Sequence, residues 1–159
     1  MKQGPRYHVK PRRRREGKTD YRRRLSLLKS RKTRMVVRKS LKNTQVQFIE
    51  YKEGGDNVVA TANSKELVNK YNWNTSTSNT SAAYLTGLLA GKRAKDKGIK
   101  ECVLDIGRYV PVNGSRVFAS LKGALDAGID CPHDESSLPP EERLDKTVND
   151  IKSKIIGGK

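Results

Sequence analysis

Ala82-Ala83-Tyr84-Leu85-Thr86-Gly87-Leu88-Leu89-Ala90-Gly91-Lys92-Arg93-Ala94-Lys95-Asp96-Lys97 is the stretch whose pattern decides how this chain folds. Its first half is apolar nearly all round, as a helix is when neighbours cover more than one of its sides. Ala83, Gly87, Ala90, Gly91 and Ala94 form a small-residue face, which predicts close packing on a sheet. Lys92, Arg93, Lys95 and Lys97 crowd the C-terminal end, where cations complement the helix dipole, and Gly98 supplies the stop.

The segments on either side predict that sheet. Thr33 to Asn63 reads as a meander of three antiparallel strands, Arg34 to Lys39, Thr44 to Tyr51 and Asn57 to Ala62. Ser40 to Asn43 and Glu53-Gly54-Gly55-Asp56 reverse the chain between them, and the alternation slips at Phe48-Ile49, which predicts a bulge. Ser64 is the expected cap of a short helix from Lys65 to Asn72, and the run from Asn74 to Ser81 is a loop by composition. Downstream, Cys102 to Gly107 is a continuous apolar run with a single acid, the pattern of a central strand. Ser115 is placed to cap a helix with Val117, Phe118, Leu121, Ala124 and Leu125 on one face, and Gly128 stops it before a short strand at Ile129 to Cys131. After Pro139-Pro140 the spacing of Leu144, Val148, Ile151 and Ile155 predicts one amphipathic helix running to a frayed Gly-Gly-Lys end. The expected class is α/β, with a mixed sheet built from an antiparallel meander plus β-α-β-α elements. Residues 33–133 make the core domain, residues 1–32 a basic arm with a short helix, and residues 134–159 a helical tail.

Charge is distributed in a very different way from hydrophobicity. Residues 1–44 carry 18 Lys or Arg against Glu16 and Asp20, a net of +16, while the whole chain of 159 residues is +17. A surplus concentrated like this repels itself unless a polyanion neutralises it, and release of counterions from a phosphate backbone drives such contacts. Met1 to Lys18 has Pro5, Pro11, Gly4 and Gly17 and no apolar periodicity, so it is expected to be extended and disordered until RNA orders it. Arg12 to Arg15 suits that partner, because guanidinium groups fork onto phosphate oxygens and stack on exposed bases. Thr19 or Asp20 caps a following helix in which Tyr21, Leu25 and Leu28 fall at i, i+4 and i+7, an apolar stripe to lay on the domain. At 100° per residue Arg22 and Lys29 flank that stripe on one side and Arg24 and Arg31 on the other, Arg23 faces outward, and Leu27 falls off the stripe. The candidate RNA-binding set is Arg6, Tyr7, Arg12, Arg13, Arg14, Arg15, Lys18, Tyr21, Arg22, Arg23, Arg24, Lys29, Arg31, Arg38, Lys39, Lys42, Arg93, Arg108 and Arg116.

Catalytic and metal-binding patterns are tested and set aside. Gly91-Lys92 lacks the phosphate-loop spacing, since Thr86 stands where a glycine is needed and Arg93 where Ser or Thr is needed. Cys131 and His133 have only Cys102 and His8 as possible companions, too few and too scattered for zinc, and the two cysteines suit a reducing cytoplasm. Asp105, Asp126 and Asp130 are the only basis for the alternative function, a metal-dependent RNA-cleaving enzyme; single acids at strand and helix ends are far commoner. No stretch approaches the roughly 18 apolar residues of a membrane span. Neither cofactor nor metal is expected.

Many short motifs in one order carry a resemblance. Gly4-Pro5-Arg6-Tyr7, Arg12 to Glu16, Thr19-Asp20-Tyr21, Arg24-Leu25, Leu27 to Ser30, Ala82 to Ala94, Val103 to Gly107, Arg116 to Ala119, Gly123 to Gly128 and Pro132-His133 together resemble the archaeal form of large-subunit ribosomal protein eighteen, counterpart of eukaryotic large-subunit protein five. The resemblance runs from about Gly4 to His133 and fades in the C-terminal segment. It implies a non-catalytic protein that binds 5S ribosomal RNA and anchors it in the central protuberance of the large subunit. The implied partners also include the large (23S-type) ribosomal RNA and neighbouring subunit proteins. The implied core is a mixed-sheet α/β fold with ribonuclease-H-like topology and none of that activity.

Overall fold

The computed structural model describes residues 4–145 and 147–157. Its sheet has four strands in the order β3-β2-β1-β4: β1 is Thr33–Lys39, β2 Thr44–Lys52, β3 Gly55–Asn63 and β4 Cys102–Asp105. The meander pairs antiparallel and β4 pairs parallel with β1, so the sheet is mixed as expected. The register shifts between Phe48 and Ile49, where the alternation slips. One expectation fails here: β4 lies at the sheet edge, and β1 and β2 are the inner strands. A lone parallel bridge between Glu101 and Asp130 is what becomes of the strand expected at Ile129 to Cys131.

Pairing register gives the sheet two unlike faces. Met35 and Val37 stand opposite Phe48 and Val46, which stand opposite Ala60 and Ala62, and all six are buried in the core. Helix α4 (Thr80–Asp96) covers this face, with Leu85 and Leu88 fully buried, each contributing about 1.5–3 kcal/mol of transfer free energy. Asn79 caps α4 by accepting the Ala82 N–H at 2.7 Å. At the other end Gly98, with φ +85°, takes the left-handed turn that lets Ile99 N–H reach Ala94 O at 3.0 Å.

The small-residue face of α4 meets a helix, which corrects the expectation of a sheet. Helix α5 (Arg116–Asp126) crosses it with backbones almost touching. A Cβ on Gly87 would stand 1.9 Å from the Ser120 carbonyl oxygen, and one on Gly123 would stand 2.1 Å from that of Tyr84. Glycine is required on both sides of this crossing.

The shorter elements differ from expectation in their details. Helix α3 (Ser64–Tyr71) is capped by Asn63 in a reciprocal box with Glu66, and the Ser64 hydroxyl accepts the Thr44 N–H at 3.0 Å. After α5, two single-turn 3₁₀ segments, Glu135–Ser137 and Glu141–Arg143, precede α6 (Val148–Gly157). The helix therefore starts beyond Leu144, and it buries Val148, Ile151 and Ile155 in the main core. The expected fraying at Gly158 and Lys159 lies outside the described residues, as does Lys2 of the basic count.

Candidate nucleic-acid interface

The second face of the sheet is charged, and the basic segment lies on it. Arg34, Val36 and Arg38 alternate with the core residues of β1; Asp105 of β4 stands opposite Val36 on this face. Arg34 is only 2% exposed. Its Nη1 donates to Asp105 Oδ2 at 3.1 Å, and its Nη2 lies 2.9 Å from Asp56 Oδ2. Arg38 completes the chain, with Nη2 on Asp105 Oδ1 at 3.3 Å and Nη1 on the Val37 and Asp105 carbonyls at 2.8 and 2.9 Å. Burial pushes the Asp56 carboxyl upward, but hydrogen bonds from Arg24 and Arg34 outweigh it, so the group sits below the ordinary carboxylate range.

Helix α2 (Tyr21–Lys29) follows a single helical turn, α1 (Arg12–Arg15), which corrects the expectation of extended chain there. Asp20 caps α2, accepting the N–H groups of Arg22 and Arg23 at 3.0 and 3.2 Å, and the Arg23 N–H in particular lowers its pKa. The helix buries no residue at all. It is rotated from the expected orientation: Tyr21 is 40% and Leu25 58% exposed, while Arg24, Leu27 and Leu28 are half-buried. Arg24 Nη2 donates to both oxygens of Asp56 at 2.9 Å, and Arg23, expected to face outward, reaches the Gly107 carbonyl at 3.2 Å. The physical reason is the charged face beneath, which takes guanidinium groups and has little apolar surface for a Tyr21-Leu25-Leu28 stripe.

The remaining candidates fall into two groups. Arg6, Tyr7, Arg12, Arg13, Arg14, Arg15, Lys18, Arg22, Lys29, Arg31 and Arg108 are exposed along one continuous run of arm, α2 and the loop after β4. Tyr21 lies among Arg14, Arg22, Arg23 and Arg108 in a cleft of about 490 Å³. Others are tied into the fold, Lys39, Arg93 and Arg116 by their side chains and Lys42 by its backbone carbonyl, its side chain being exposed. Lys39 sits 5.1 Å from the Tyr109 ring centroid, and the Tyr109 hydroxyl donates to Lys39 O at 2.7 Å. The Lys42 carbonyl accepts from Thr77 Oγ1 at 2.6 Å, and Arg116 Nη1 donates to Ser78 O at 2.9 Å, docking the Ser/Thr loop on the first hairpin. Arg93 lies away from the arm: it pairs with Glu66 at 2.6 Å and donates to Thr61 O at 2.5 Å. With Lys97, which donates to Val59 O, it covers carbonyls of edge strand β3, and its hydrogen bonds hold the Glu66 carboxyl below the usual range.

The roles of Arg34 and Asp56 are not apparent from the sequence, and Asp105, expected to be structural, has partners that sequence does not reveal. The signal for Arg34 is the alternation Arg34-x-Val36-x-Arg38, which puts both arginines opposite Met35 and Val37. The three acids of the alternative enzymatic reading are dispersed: Asp105 serves Arg34 and Arg38, Asp126 serves Tyr84 and Lys152, and Asp130 pairs with Glu101 through backbone. Among the described residues no group of His, Cys, Asp or Glu could hold a metal ion.

Comparison with known proteins adds a lineage to this geometry. The model of a family described as ribosomal large subunit proteins 60S L5 and 50S L18 matches residues 5–100 and 94–134. A protein from Aeropyrum pernix named large ribosomal subunit protein uL18 is 58% identical over 144 residues, covering 91% of this chain and 67% of its own length. Proteins of the same name from Korarchaeum cryptofilum and Methanothermobacter thermautotrophicus are 57% and 52% identical over 144 residues, with 73% and 74% of their lengths covered.

Proposed function

Given that the chain belongs to the family of ribosomal large subunit proteins 60S L5 and 50S L18, we propose that it binds 5S ribosomal RNA and attaches it to the large subunit in the central protuberance. As a member of that family it is a structural protein of the ribosome, in the cytoplasm, and not an enzyme. The observation that carries the finer reading is the concentration of charge: +16 of the net +17 lies in residues 1–44, and Arg12 to Arg15, Lys18, Arg22, Lys29 and Arg31 of that segment are exposed.

The mechanism is a rigid body presenting a basic segment that RNA completes. Arg12 to Arg15 and Lys18, exposed on an arm with no buried residue in α1, hold phosphates. Arg22 and Lys29 add cations at positions set by α2, which the Arg24–Asp56 ion pair fixes to the sheet, so they read the shape of a folded RNA as well as its charge, and Arg31 follows just past the helix end. Tyr7 and Tyr21 offer rings for unpaired bases, and the large ribosomal RNA meets cations left outside the 5S contact.

Recovery of bound RNA from the purified protein tests this. A discrete 5S species on a gel is the expected result. Bulk RNA of mixed length, with no preference for 5S in competition, would overturn the assignment and leave only a basic binder.

A further inference from the structure

Between the arm and the charged face of the sheet lies a cleft of about 470 Å³. Six cations line it: Arg13 and Lys18 from the arm, Arg23 and Arg24 from α2, Arg34 and Arg38 from β1. Three acids share the lining, Asp20, Asp56 and Asp105. Their carboxylates are already engaged, Asp20 by the α2 N-terminus, Asp56 by Arg24 and Arg34, and Asp105 by Arg34, Arg38 and the Gly107 N–H at 2.8 Å. Lys18 is paired with Glu16 just outside the lining at 2.9 Å, so two positive charges, those of Arg13 and Arg23, are left without a carboxylate partner among the described residues. The most deeply buried lining residue, Arg34, is also incompletely satisfied: its Nε has no hydrogen-bond acceptor among the described residues. An unpartnered buried guanidinium nitrogen keeps the floor of the cleft electropositive, although Nε itself is covered.

We propose that this cleft is a phosphate site. A single tetrahedral phosphate seats between Arg13, Lys18, Arg23 and Arg38 over Arg34, and joins the arm to the sheet. Guanidinium forks match phosphate oxygens in pairs, and the surplus of two positive charges suits a group of one to two negative charges. The occupant is either a phosphodiester of bound RNA or free inorganic phosphate, which share this chemistry. Only the diester source rests on the ribosomal RNA reading. The consequence is mechanical: without the anion, Arg13 and Lys18 have little to hold them on the sheet, since among the described residues the Arg13 side chain donates to Thr19 at 2.8 Å and Lys18 pairs with Glu16, both within the arm itself.

Limited trypsin digestion of the full-length, RNA-free protein tests it, with inorganic phosphate titrated against chloride at equal ionic strength. Phosphate at ten times its Kd should slow cleavage within residues 12–18 about tenfold, because occupied protein is withdrawn from the open state. Arg13→Gln with Lys18→Gln should abolish the protection, while Arg12→Gln with Arg15→Gln, an equal loss of charge outside the cleft, should keep it. All four side chains are exposed, so folding is not at issue. Protection no greater than with chloride, or lost equally in both variants, would overturn the site. Adding a single-stranded hexanucleotide then identifies the source: displacement of bound phosphate assigns the diester, and binding without displacement assigns free phosphate. Affinity for 5S RNA is measured on the same preparations, so that failure of the cleft with 5S binding intact is distinguishable from failure of the RNA reading.

Discussion

Arg34 and Asp105 join β1 to β4 through an ion pair of 3.1 Å that is almost wholly removed from solvent, with side chains 2% and 9% exposed. This pair decides what the acid on the edge strand does. Its carboxylate also takes Arg38 and the Gly107 N–H, which leaves it no role as a metal ligand or base.

Asp105→Asn should therefore be a stability variant. Breaking a buried pair costs about 3–5 kcal/mol, and the share of Arg34 held by Asp56 argues for the lower end. A fall in Tm of about 6–12 °C is expected by calorimetry. At a temperature where the variant is folded, its affinity for 5S RNA should match wild type. Wild-type protein with magnesium should leave 5S RNA uncut over hours; cleavage that vanishes with this substitution would contradict a structural role.

The α4/α5 crossing sets the second expectation. A methyl on Gly87 meets the Ser120 carbonyl at 1.9 Å, a backbone atom that can move only if the helices part. Gly87→Ala should cost about 3 kcal/mol, the upper end for overpacking. At Gly91 the nearest atom is the Ala127 Cβ at 2.8 Å, so Gly91→Ala should cost measurably less. Equal denaturant midpoints for the two variants would count against this difference in packing.

Asp126 links α5 to both α4 and α6, accepting from the Tyr84 hydroxyl and pairing with Lys152 at 2.7 Å. Burial, with Asp126 adding to it, pushes the Tyr84 hydroxyl up to about 12 from 10.0, and Asp126 raises the Lys152 ammonium as well. Burial alone would raise the Asp126 carboxyl, yet Lys152 and Tyr84 hold it below its ordinary 3.8. The raised groups contribute stability that is complete below pH 10 and lost as pH climbs toward 12 and beyond. The lowered carboxyl contributes above 3.8 and is lost as pH falls through its folded value. Asp126→Asn should flatten the stability profile at both ends and change its slope little near neutrality, as measured by urea midpoints across pH.

Much of the fold was legible because its signals are local. Strand alternation, the bulge at Phe48-Ile49 and the helix-stopping glycines Gly98 and Gly128 each depend on a few adjacent residues. What escaped depends on distant partners. Gly87 announces that something comes close, but only the position of Gly123 shows that a helix does so. The α2 helix turned Arg24 and Arg23 inward because Asp56 and the Gly107 carbonyl, 32 and 84 residues beyond them, accept their guanidinium groups. A helix read alone favours its apolar stripe, since periodicity carries no information about the polarity of the surface it meets. The concentration of charge in the basic segment was legible from sequence alone, whereas its division into exposed cations and guanidinium groups tied into the fold depends on partners distant in the chain.

The arm can be removed without reaching the core. Neither α1 nor α2 buries a residue, and the core begins at Met35. A chain lacking residues 1–18 should keep a single cooperative thermal transition. Loss of that transition would place the arm within the folding unit.

The salt dependence of binding assigns the affinity to its residues. Each phosphate neutralised contributes about 0.7–0.9 to the slope of log affinity against log salt. Residues 45–159 hold 16 basic and 15 acidic residues, a net of +1, so the basic segment should dominate that slope. Replacing Arg12 to Arg15 by Ala should flatten it by about 2–4 units, and should weaken 5S RNA and unrelated structured RNA by similar factors, since phosphate contacts position without identifying. Arg22→Ala should behave differently. Arg22 is exposed on a helix held to the sheet through Arg24 and Asp56, so its charge sits at a fixed place relative to the body. Losing it should hurt the cognate RNA more than the unrelated one, because a rigidly placed cation penalises an RNA of the wrong shape. If the slope of the Arg12 to Arg15 variant is unchanged, the arm is a solvated tail, and binding resides in α2 and the hairpin cations Lys39 and Lys42.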